Sequence, residues 1–350
     1  MRKPHLKLAF FLGLCSIFLL HHLKSPRTYR PASASSPLTA EEQPVINIEI
    51  SGPLAEREAE VSGLDWYGDW LILLPQYPKR LGGNVFALQK SDILAFLNGE
   101  TSEPLAPQPI PFQDEALGEQ IAGFEGYEAI AFRGNQVFLT IEAETNSSAK
   151  GYVVQGTIAT DLSELTIDTN QLAESPSQSS SPNKADEALL LTDNKIISIY
   201  EVSGAQVNPA PQMHSFGFDL APLPSVPFPT VEYRITDATQ LDEQNRFWAI
   251  NYFYAGDRDL LPQRDPLVVR YGRGPTHRQY PTVERLVEFT YSNRGIALTN
   301  TPSIQLELTD AGRNWEGIAR LNDQGFLIVT DKFPTTLIAF VPFPSIATDK

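Results

Sequence analysis

Five pairs of polar residues recur along this chain, and each pair encloses a run of strand-forming residues. The pairs are Ser62 with Gln76, Glu128 with Glu142, Glu187 with Glu201, Asp237 with Asn251, and Glu316 with Asp331. The two members lie fourteen residues apart in the first four pairs and fifteen apart in the last. Turn-forming residues such as Gly134-Asn135 stand midway. A hairpin folded at each midpoint therefore brings both members of a pair to the same edge.

This repeat predicts an all-β fold, a β-propeller. Successive hairpins begin 66, 59, 50 and 79 residues apart, which leaves room for four-stranded blades and their loops. Six blades are favoured over five, because the longest interval can hold a degenerate blade around Val268–Tyr271 and Val287–Tyr291. A two-sheet β-sandwich is the alternative, although it gives no reason for acids to recur at the same point of successive hairpins.

The propeller is predicted to span residues 44–345 as one domain. The alternating strand Val45–Ile50 is expected to pair beside Thr336–Val341 in the last blade and so close the ring. Residues 173–185, with the sequence AESPSQSSSPNKA, are predicted to form a disordered surface loop between two repeats.

The N-terminal residues 1–24 have the pattern of a targeting segment. Arg2, Lys3 and Lys7 precede an uncharged apolar run from Leu8 to Leu20, which is typical of a signal peptide or of an uncleaved anchor. Residues 25–43 are rich in Pro and Ser and predict a flexible tether. The protein is therefore expected to be exported, periplasmic or extracellular, or tethered to the membrane through this segment alone.

Charge and cysteine content exclude several classes of function. The chain has 42 acidic against 27 basic residues and a net charge of -15, which argues against a nucleic-acid partner. Its single cysteine, Cys15, leaves no thiol chemistry or disulfide framework for the propeller. No G-x-S-x-G motif is present, which disfavours a Ser-His-Asp hydrolase. We expect a monomer without an organic cofactor.

Three short segments resemble the blade openings of a known family. They are Val61–Trp66 (VSGLDW), Gly123–Ala131 (GFEGYEAIA) and Asn314–Ala319 (NWEGIA). Openings of this kind occur in the esterase-like phytase family, and in related six-bladed propellers such as the SdiA-regulated group and the calcium-dependent lactonases. The similarity runs in short pieces from about residue 58 to 342. It implies a six-bladed propeller with ester-hydrolase activity.

The same resemblance implies that the opening carboxylates look inward and that one of them binds calcium. Glu128 and Glu316 are the best positional matches to these carboxylates. Glu187 and Asp237 occupy the same position when the five hairpins are aligned. Ser62 stands where the lactonases carry the calcium-binding glutamate.

Convergence of the paired acids about one axis would require a counter-charge. Carboxylates about 6 Å apart repel each other by roughly 3 kcal/mol at an effective dielectric near 20, which raises their pKa values or recruits a cation. Calcium is the expected cation because it prefers carboxylate and amide oxygens. The predicted ligands are Glu128, Glu187, Asp237 and Glu316. The residues predicted to bind substrate or support the ligands are Gln76, Glu142, Glu201, Asn251, Asp331 and Lys332.

Three functions fit these patterns. The first is a divalent-metal-dependent hydrolase of phosphate or carboxylic esters, acting on a small-molecule ester. The second is a non-catalytic propeller of the cell envelope that binds a ligand or protein, with a cationic group or a peptide as the partner. The third is a structural protein of the envelope, in which the acids are solvated or simply end the strands.

Overall fold

The computed structural model describes residues 39–145 and 148–344. The predicted targeting segment 1–24 and most of the tether 25–43 lie outside the described residues. Within them, no helix is long and apolar enough to span a bilayer.

The described residues are mainly β-strands. The strands are β1 (Glu42–Gln43), β2 (Ile46–Ile48), β3 (Val61–Tyr67), β4 (Trp70–Pro75), β5 (Asn84–Gln89), β6 (Gln108–Gln113), β7 (Phe124–Arg133), β8 (Gln136–Thr145), β9 (Ser148–Ile158), β10 (Leu165–Pro176), β11 (Asp186–Leu191), β12 (Ile196–Tyr200), β13 (Val202–Ser203), β14 (Gln212–Phe216), β15 (Pro222–Pro227), β16 (Val231–Ala238), β17 (Arg246–Phe253), β18 (Val283–Ser292), β19 (Gly295–Leu298), β20 (Ile304–Leu306), β21 (Trp315–Leu321), β22 (Gly325–Thr330) and β23 (Ile338–Pro342). The α-helices are α1 (Lys90–Leu97), α2 (Leu117–Gln120), α3 (Pro266–Tyr271) and α4 (Pro275–Gln279), and short 3-10 helices cover Pro53–Ala55, Arg57–Ala59, Pro78–Leu81 and Arg258–Leu260.

These strands form a β-propeller. Within the described residues there are five blades, built in order on the inner hairpins β3-β4, β7-β8, β11-β12, β16-β17 and β21-β22. The innermost strands contact one another in a closed ring, which runs from β3 through β7, β11, β16 and β21 back to β3. The outer strands of the first two blades, β6 and β10, also pair in parallel, with Leu165 opposite Phe112.

The hydrophobic core lies between neighbouring blades. The described buried apolar side chains form five clusters, and each cluster joins two adjacent blades. For example, Ile72 and Val85 of the first blade pack with Leu139 and Val154 of the second. Because both faces of a blade are covered in this way, strands such as β22 are buried at every position. The inner strands approach so closely that a Cβ added to Gly63 would lie 3.1 Å from the next blade's backbone oxygen.

The prediction of six blades is not confirmed. Val268–Tyr271 lies in helix α3, and Val287–Tyr291 lies in β18, the third strand of the fourth blade. The helix has local causes: Pro266 stands in its first turn, and the carboxylate of Asp265 accepts a hydrogen bond from the Leu267 amide at 2.9 Å. The capping by Asp265 and the proline that follows it therefore favour a helix here, although the segment contains β-branched valines.

The prediction that the early strand closes the ring is confirmed. Strand β2 pairs antiparallel with β23, which places Ile48 opposite Ile338. Strand β1 pairs in parallel with β20 of the fourth blade. The Glu42 carboxylate accepts hydrogen bonds from the amides of Thr276 and His277, both at 3.0 Å. The start of the described chain therefore ties the fourth and fifth blades together.

The serine-rich segment 173–185 differs from the predicted disordered loop. Strand β10 extends through Pro176, so the first part of the segment is paired with β9. Beyond it, the hydroxyl of Tyr200 lies 3.0 Å from Ser177 Oγ and 2.9 Å from Ser179 Oγ. Composition alone predicted disorder, whereas the buried tyrosine supplies these hydroxyls with a partner.

Candidate functional site

Every inner hairpin is irregular at the repeated polar position. The strand-pairing register shifts in each first strand: between Val61 and Gly63, Tyr127 and Ile130, Asp186 and Ala188, Ile235 and Ala238, and Trp315 and Gly317. Such β-bulges re-aim side chains. We call the end of the ring where the inner strands begin the mouth. Its carboxyl groups belong to Glu128, Glu142, Glu187, Glu201, Glu316 and Asp331, and its central cation is Arg234.

Arg234, on β16, is the centre of the mouth, and the sequence analysis did not single it out. Its guanidinium lies 3.5 Å from Glu187 and 3.3 Å from Glu316, and it donates a hydrogen bond to Glu201. Only 14% of its side chain is exposed. One fixed positive charge thus joins the third, fourth and fifth blades at the position where calcium was expected.

The backbone before Arg234 is strained. Tyr233 has a φ of 72°, which is rare for a bulky residue and costs of order 1–3 kcal/mol. The register of the pairing between β16 and β13 shifts at this point: Val202 lies opposite Arg234, while Ser203 lies opposite Val231. The left-handed turn at Tyr233 therefore accompanies the entry of Arg234 into the mouth.

Lys184 is the second cation of the mouth. Its ammonium lies 3.3 Å from Glu201. Burial alone would raise the pKa of Glu201, but Arg234 and Lys184 together lower it, so this carboxylate is ionised. Glu187 has the opposite shift, because burial and the nearby Glu201 charge hold its pKa well above the usual range.

The second-blade side of the mouth has carboxyl groups without a cation. Glu128 accepts a hydrogen bond from the Gln76 amide at 3.0 Å. Glu142 is 3% exposed and has no hydrogen-bond or ion-pair partner within the described residues. Burial, with the Glu201 charge, raises the pKa of Glu142 to about 7. Burial, with the Glu142 charge, holds the pKa of Glu128 well above its usual range.

On the fifth blade, one amide bridges two carboxyl groups. Asn314 Nδ2 donates to Glu316 Oε1 at 2.5 Å and to Asp331 Oδ2 at 2.9 Å, so the two accepting oxygens are at most about 5.4 Å apart. Asp331 Oδ1 also accepts the Phe333 amide at 2.7 Å. Burial raises the pKa of Glu316 to about 8 despite Arg234, and the Asp331 charge adds to the rise. The sequence analysis did not select Asn314, although its position two residues before the repeated Glu316 was a signal that could have identified it.

In the fourth blade, Asp237, predicted as a metal ligand, and Asn251, predicted as a binding residue, contact other parts of the protein. Its bulge begins at Thr236, one residue before the position chosen from the sequence. Asp237 instead accepts the Ile318 amide of the next blade at 2.8 Å. Asn251 is fully buried and accepts a hydrogen bond from Arg285 Nε at 2.7 Å. Both side chains therefore serve internal contacts.

Lys332 was predicted to contact substrate. Its ammonium forms an ion pair with Glu60 at 2.9 Å, and Arg80 contacts the same carboxylate oxygen at 3.0 Å. Lys332 therefore already has a partner, although 35% of its side chain is exposed.

The arrangement does not fit the predicted calcium site. Oxygens of Glu187 and Glu316 face the Arg234 guanidinium, which repels a divalent ion. In the ranges 39–145 and 148–344, no group of three or more His, Cys, Asp or Glu residues is placed to hold a metal. Calcium at this mouth stays a prediction for experiment.

No protein-family model matches the sequence. No curated protein matches it either. Among solved structures, similarity is found to an exo-1,5-α-L-arabinanase from a bovine ruminal metagenomic library, with 7% identity, a TM-score of 0.45, and 85% of this chain and 97% of that chain covered. It is also found to a Cellvibrio cellulosa α-L-arabinanase complexed with arabinohexaose, with 9% identity, a TM-score of 0.40, and 81% and 91% covered. A third is the catalytic domain of the Coprinopsis cinerea GH62 α-L-arabinofuranosidase, with 7% identity, a TM-score of 0.44, and 87% and 98% covered. Likeness at this level carries no argument about activity, and the resemblance to the esterase-like phytase family finds no support in these comparisons.

Proposed function

We propose that the mouth is a hydrolytic active site in which Glu316 and Asp331 act as a pair of carboxyl groups on a neutral glycosidic bond. The observation that carries this proposal is the Asn314 amide, which holds oxygens of the two groups within about 5.4 Å of each other. Inverting glycosidases keep their two carboxyl groups roughly 6.5–9.5 Å apart to leave room for a water molecule, so a pair held this close is suited to the covalent intermediate of a retaining mechanism instead.

The protonation of the two groups supports different roles. A pKa of about 8 keeps Glu316 protonated at neutral pH, so it can donate a proton to the leaving oxygen. Hydrogen bonds from Asn314 and Phe333 favour the ionised form of Asp331. Burial opposes that effect and raises the pKa of Asp331 above its usual value, so its activity as a nucleophile should increase with pH.

The reaction would then proceed in two displacements. In the first, Asp331 attacks the anomeric carbon, the bond from that carbon to the leaving oxygen breaks, and Glu316 transfers its proton to that oxygen. In the second, water gives a proton to the ionised Glu316 and attacks the same carbon, and the ester bond from that carbon to Asp331 breaks. This step releases the sugar, with Asp331 leaving as the carboxylate and Glu316 protonated again.

The charge of the mouth favours a neutral substrate over a phosphate ester. Both cations of the mouth, Arg234 and Lys184, contact the ionised Glu201, so neither is left to neutralise a phosphate dianion. Carboxylic esters and lactones carry no such charge and remain alternative substrates of the same carboxyl pair.

The test is hydrolysis of a panel of nitrophenyl glycosides, arabinofuranoside, xyloside, glucoside and mannoside, beside nitrophenyl phosphate and nitrophenyl acetate. Glu316→Gln and Asp331→Asn should each lower kcat at least about 100-fold. Asp323→Asn, in the exposed turn between β21 and β22, should retain activity. Activity should survive chelation of divalent ions. Turnover that persists in both variants, or that requires calcium, would overturn the proposal.

The second candidate is a binding protein without catalytic activity. The observation that favours it is Glu142, whose buried carboxyl group has no partner within the described residues. Ligand binding by the wild type with no turnover on any member of the panel would select this candidate.

A further inference from the structure

Glu142 presents an energetic problem that the rest of the mouth does not. Removing a carboxyl group from water without a compensating hydrogen bond is energetically unfavourable in proteins. The other buried acids of the mouth each have a described partner, either Gln76, Arg234, Lys184 or Asn314. Within the described residues Glu142 has none, although it is only 3% exposed at the inner edge of β8. A ligand that donates hydrogen bonds would remove this cost.

The positive charge of the mouth is distributed unevenly. Arg234 and Lys184 both contact Glu201 of the third blade, and Arg234 reaches on to the fifth. Within the described part of the chain, no Lys or Arg contacts Glu128 or Glu142 of the second blade. These two residues lie on the paired strands β7 and β8. After burial, the charge of Glu142 is the largest contribution to the raised pKa of Glu128. The second-blade side therefore presents carboxyl oxygens that no described cation contacts.

We propose that Glu128 and Glu142 bind the ammonium group of a ligand. An ammonium has three N–H donors and no acceptor, which matches the unpartnered carboxyl group of Glu142 and the oxygen of Glu128 that Gln76 leaves open. The contacts around Arg234 show that an organic cation is held at the same mouth by carboxylates. A calcium ion needs six to eight oxygens, more than Glu128, Glu142 and Gln76 together present.

The substrate class follows from the proposed function, and only this step rests on it. A substrate with a glycosidic bond at Glu316 and Asp331, and an ammonium at Glu128 and Glu142, is a sugar with a free amino group. The blade order places the two carboxyl pairs on the second and fifth blades, on either side of the first. Such a substrate would extend across the mouth, with its bond at one pair and its amine at the other.

The experiment measures binding by calorimetry with glucosamine and its short β-1,4 oligomers, against glucose and N-acetylglucosamine as matched neutral sugars. The wild type should bind the amine form at least about 10-fold more tightly than the neutral form. Glu142→Gln and Glu128→Gln should each remove most of that preference. Glu288→Gln is the matched control, because this buried glutamate has its own partners in Thr299 and Thr301.

Further measurements distinguish failure of the ammonium site from failure of the proposed hydrolytic function. Glu316→Gln should bind glucosamine as the wild type does even if it hydrolyses nothing, so lost turnover with intact binding leaves the ammonium site standing. Equal affinity for the amine and neutral sugars, or an unchanged preference in Glu142→Gln, would overturn it. Calcium is tested in parallel by thermal melting. Stabilisation by calcium that Glu142→Gln abolishes, without binding of glucosamine, would also overturn it in favour of a metal site.

Discussion

At the scale of single residues, the mouth shows how neighbouring charges determine which buried carboxyl groups hold protons. Glu201 is fully buried but is ionised, because two cations contact it. Glu142 is almost as deeply buried and lacks such contacts among the described residues, so its pKa rises to about 7. The same side-chain type, at the same point of successive hairpins, thus has opposite titration behaviour because of its neighbours alone.

Glu142→Gln should change how stability depends on pH. The pKa of Glu142 rises from 4.5 in the unfolded chain to about 7 in the fold, so the fold binds this proton more tightly. The resulting stability is fully present below about pH 4.5 and is lost as the pH rises through 7. At 1.36 kcal/mol for each pKa unit, this group should lower the free energy of unfolding of the wild type by roughly 3 kcal/mol as the pH rises through that range.

Because the glutamine side chain of this variant cannot titrate, the variant should unfold like the wild type at pH 4.5 and be more stable at pH 8. Thermal unfolding followed by circular dichroism between pH 4.5 and 8 gives the comparison. Glu174→Gln, at an exposed ion pair with Lys150, is the control and should leave the profile unchanged. Parallel profiles for the wild type and Glu142→Gln would show that Glu142 titrates normally.

At the scale of the elements, hydroxyl groups at the bulges join neighbouring blades. Ser62 Oγ donates to the Tyr127 carbonyl at 2.6 Å, from the first blade to the second. Thr236 Oγ1 donates to the Trp315 carbonyl at the same distance, from the fourth blade to the fifth. In both cases the acceptor precedes the glutamate of the next bulge. These hydroxyls therefore fix the backbone that presents Glu128 and Glu316 to the mouth.

Thr236→Val should destabilise the fold by about 1–3 kcal/mol, because it leaves the buried Trp315 carbonyl without this donor while keeping the side-chain shape. Urea unfolding should show a lower midpoint with an unchanged slope. Thr160→Val provides the control, since Thr160 is exposed and its hydroxyl makes no hydrogen bond to another described residue. A midpoint equal to that of the wild type would mean that this hydrogen bond contributes nothing to stability.

The inner hairpins also show which structural features a sequence repeat predicts reliably. The five hairpins form at the predicted places, because alternating apolar strands and turn residues are local signals. The bulge of the fourth hairpin contains Thr236 as well as Asp237, the residue chosen from the sequence. A bulge adds a residue without changing the local pattern, so spacing alone could not locate it.

At the scale of the whole molecule, the ring depends on its N-terminal strands. Each blade buries its faces against two neighbours, so an open ring would expose two apolar faces. Strand β2 completes the fifth blade, and β1 with the Glu42 carboxylate is attached to the fourth. The two ends of the described chain thus meet in the same part of the ring.

Removal of residues 1–50 should therefore cost several kcal/mol or prevent folding, because it deletes β1, β2 and the acceptor of the Thr276 and His277 amides. Removal of residues 1–38 keeps every described contact and provides the matched control. Urea unfolding and limited proteolysis of the two proteins give the comparison. Equal stability of the two would show that the fourth and fifth blades close without these strands.

The sequence by itself determined the strands, their pairing into inner hairpins and the side of each hairpin on which the acids lie, because these depend on residues less than about twenty positions apart. It also indicated ring closure by the early strand, since an unpaired alternating strand at one end matched one at the other. Only the tertiary structure decided the number of blades, the placement of Arg234 among acids from other blades, and the lack of a described partner for Glu142. These features arise from distances between residues far apart in the chain and from the burial that those distances produce, and no local pattern encodes either.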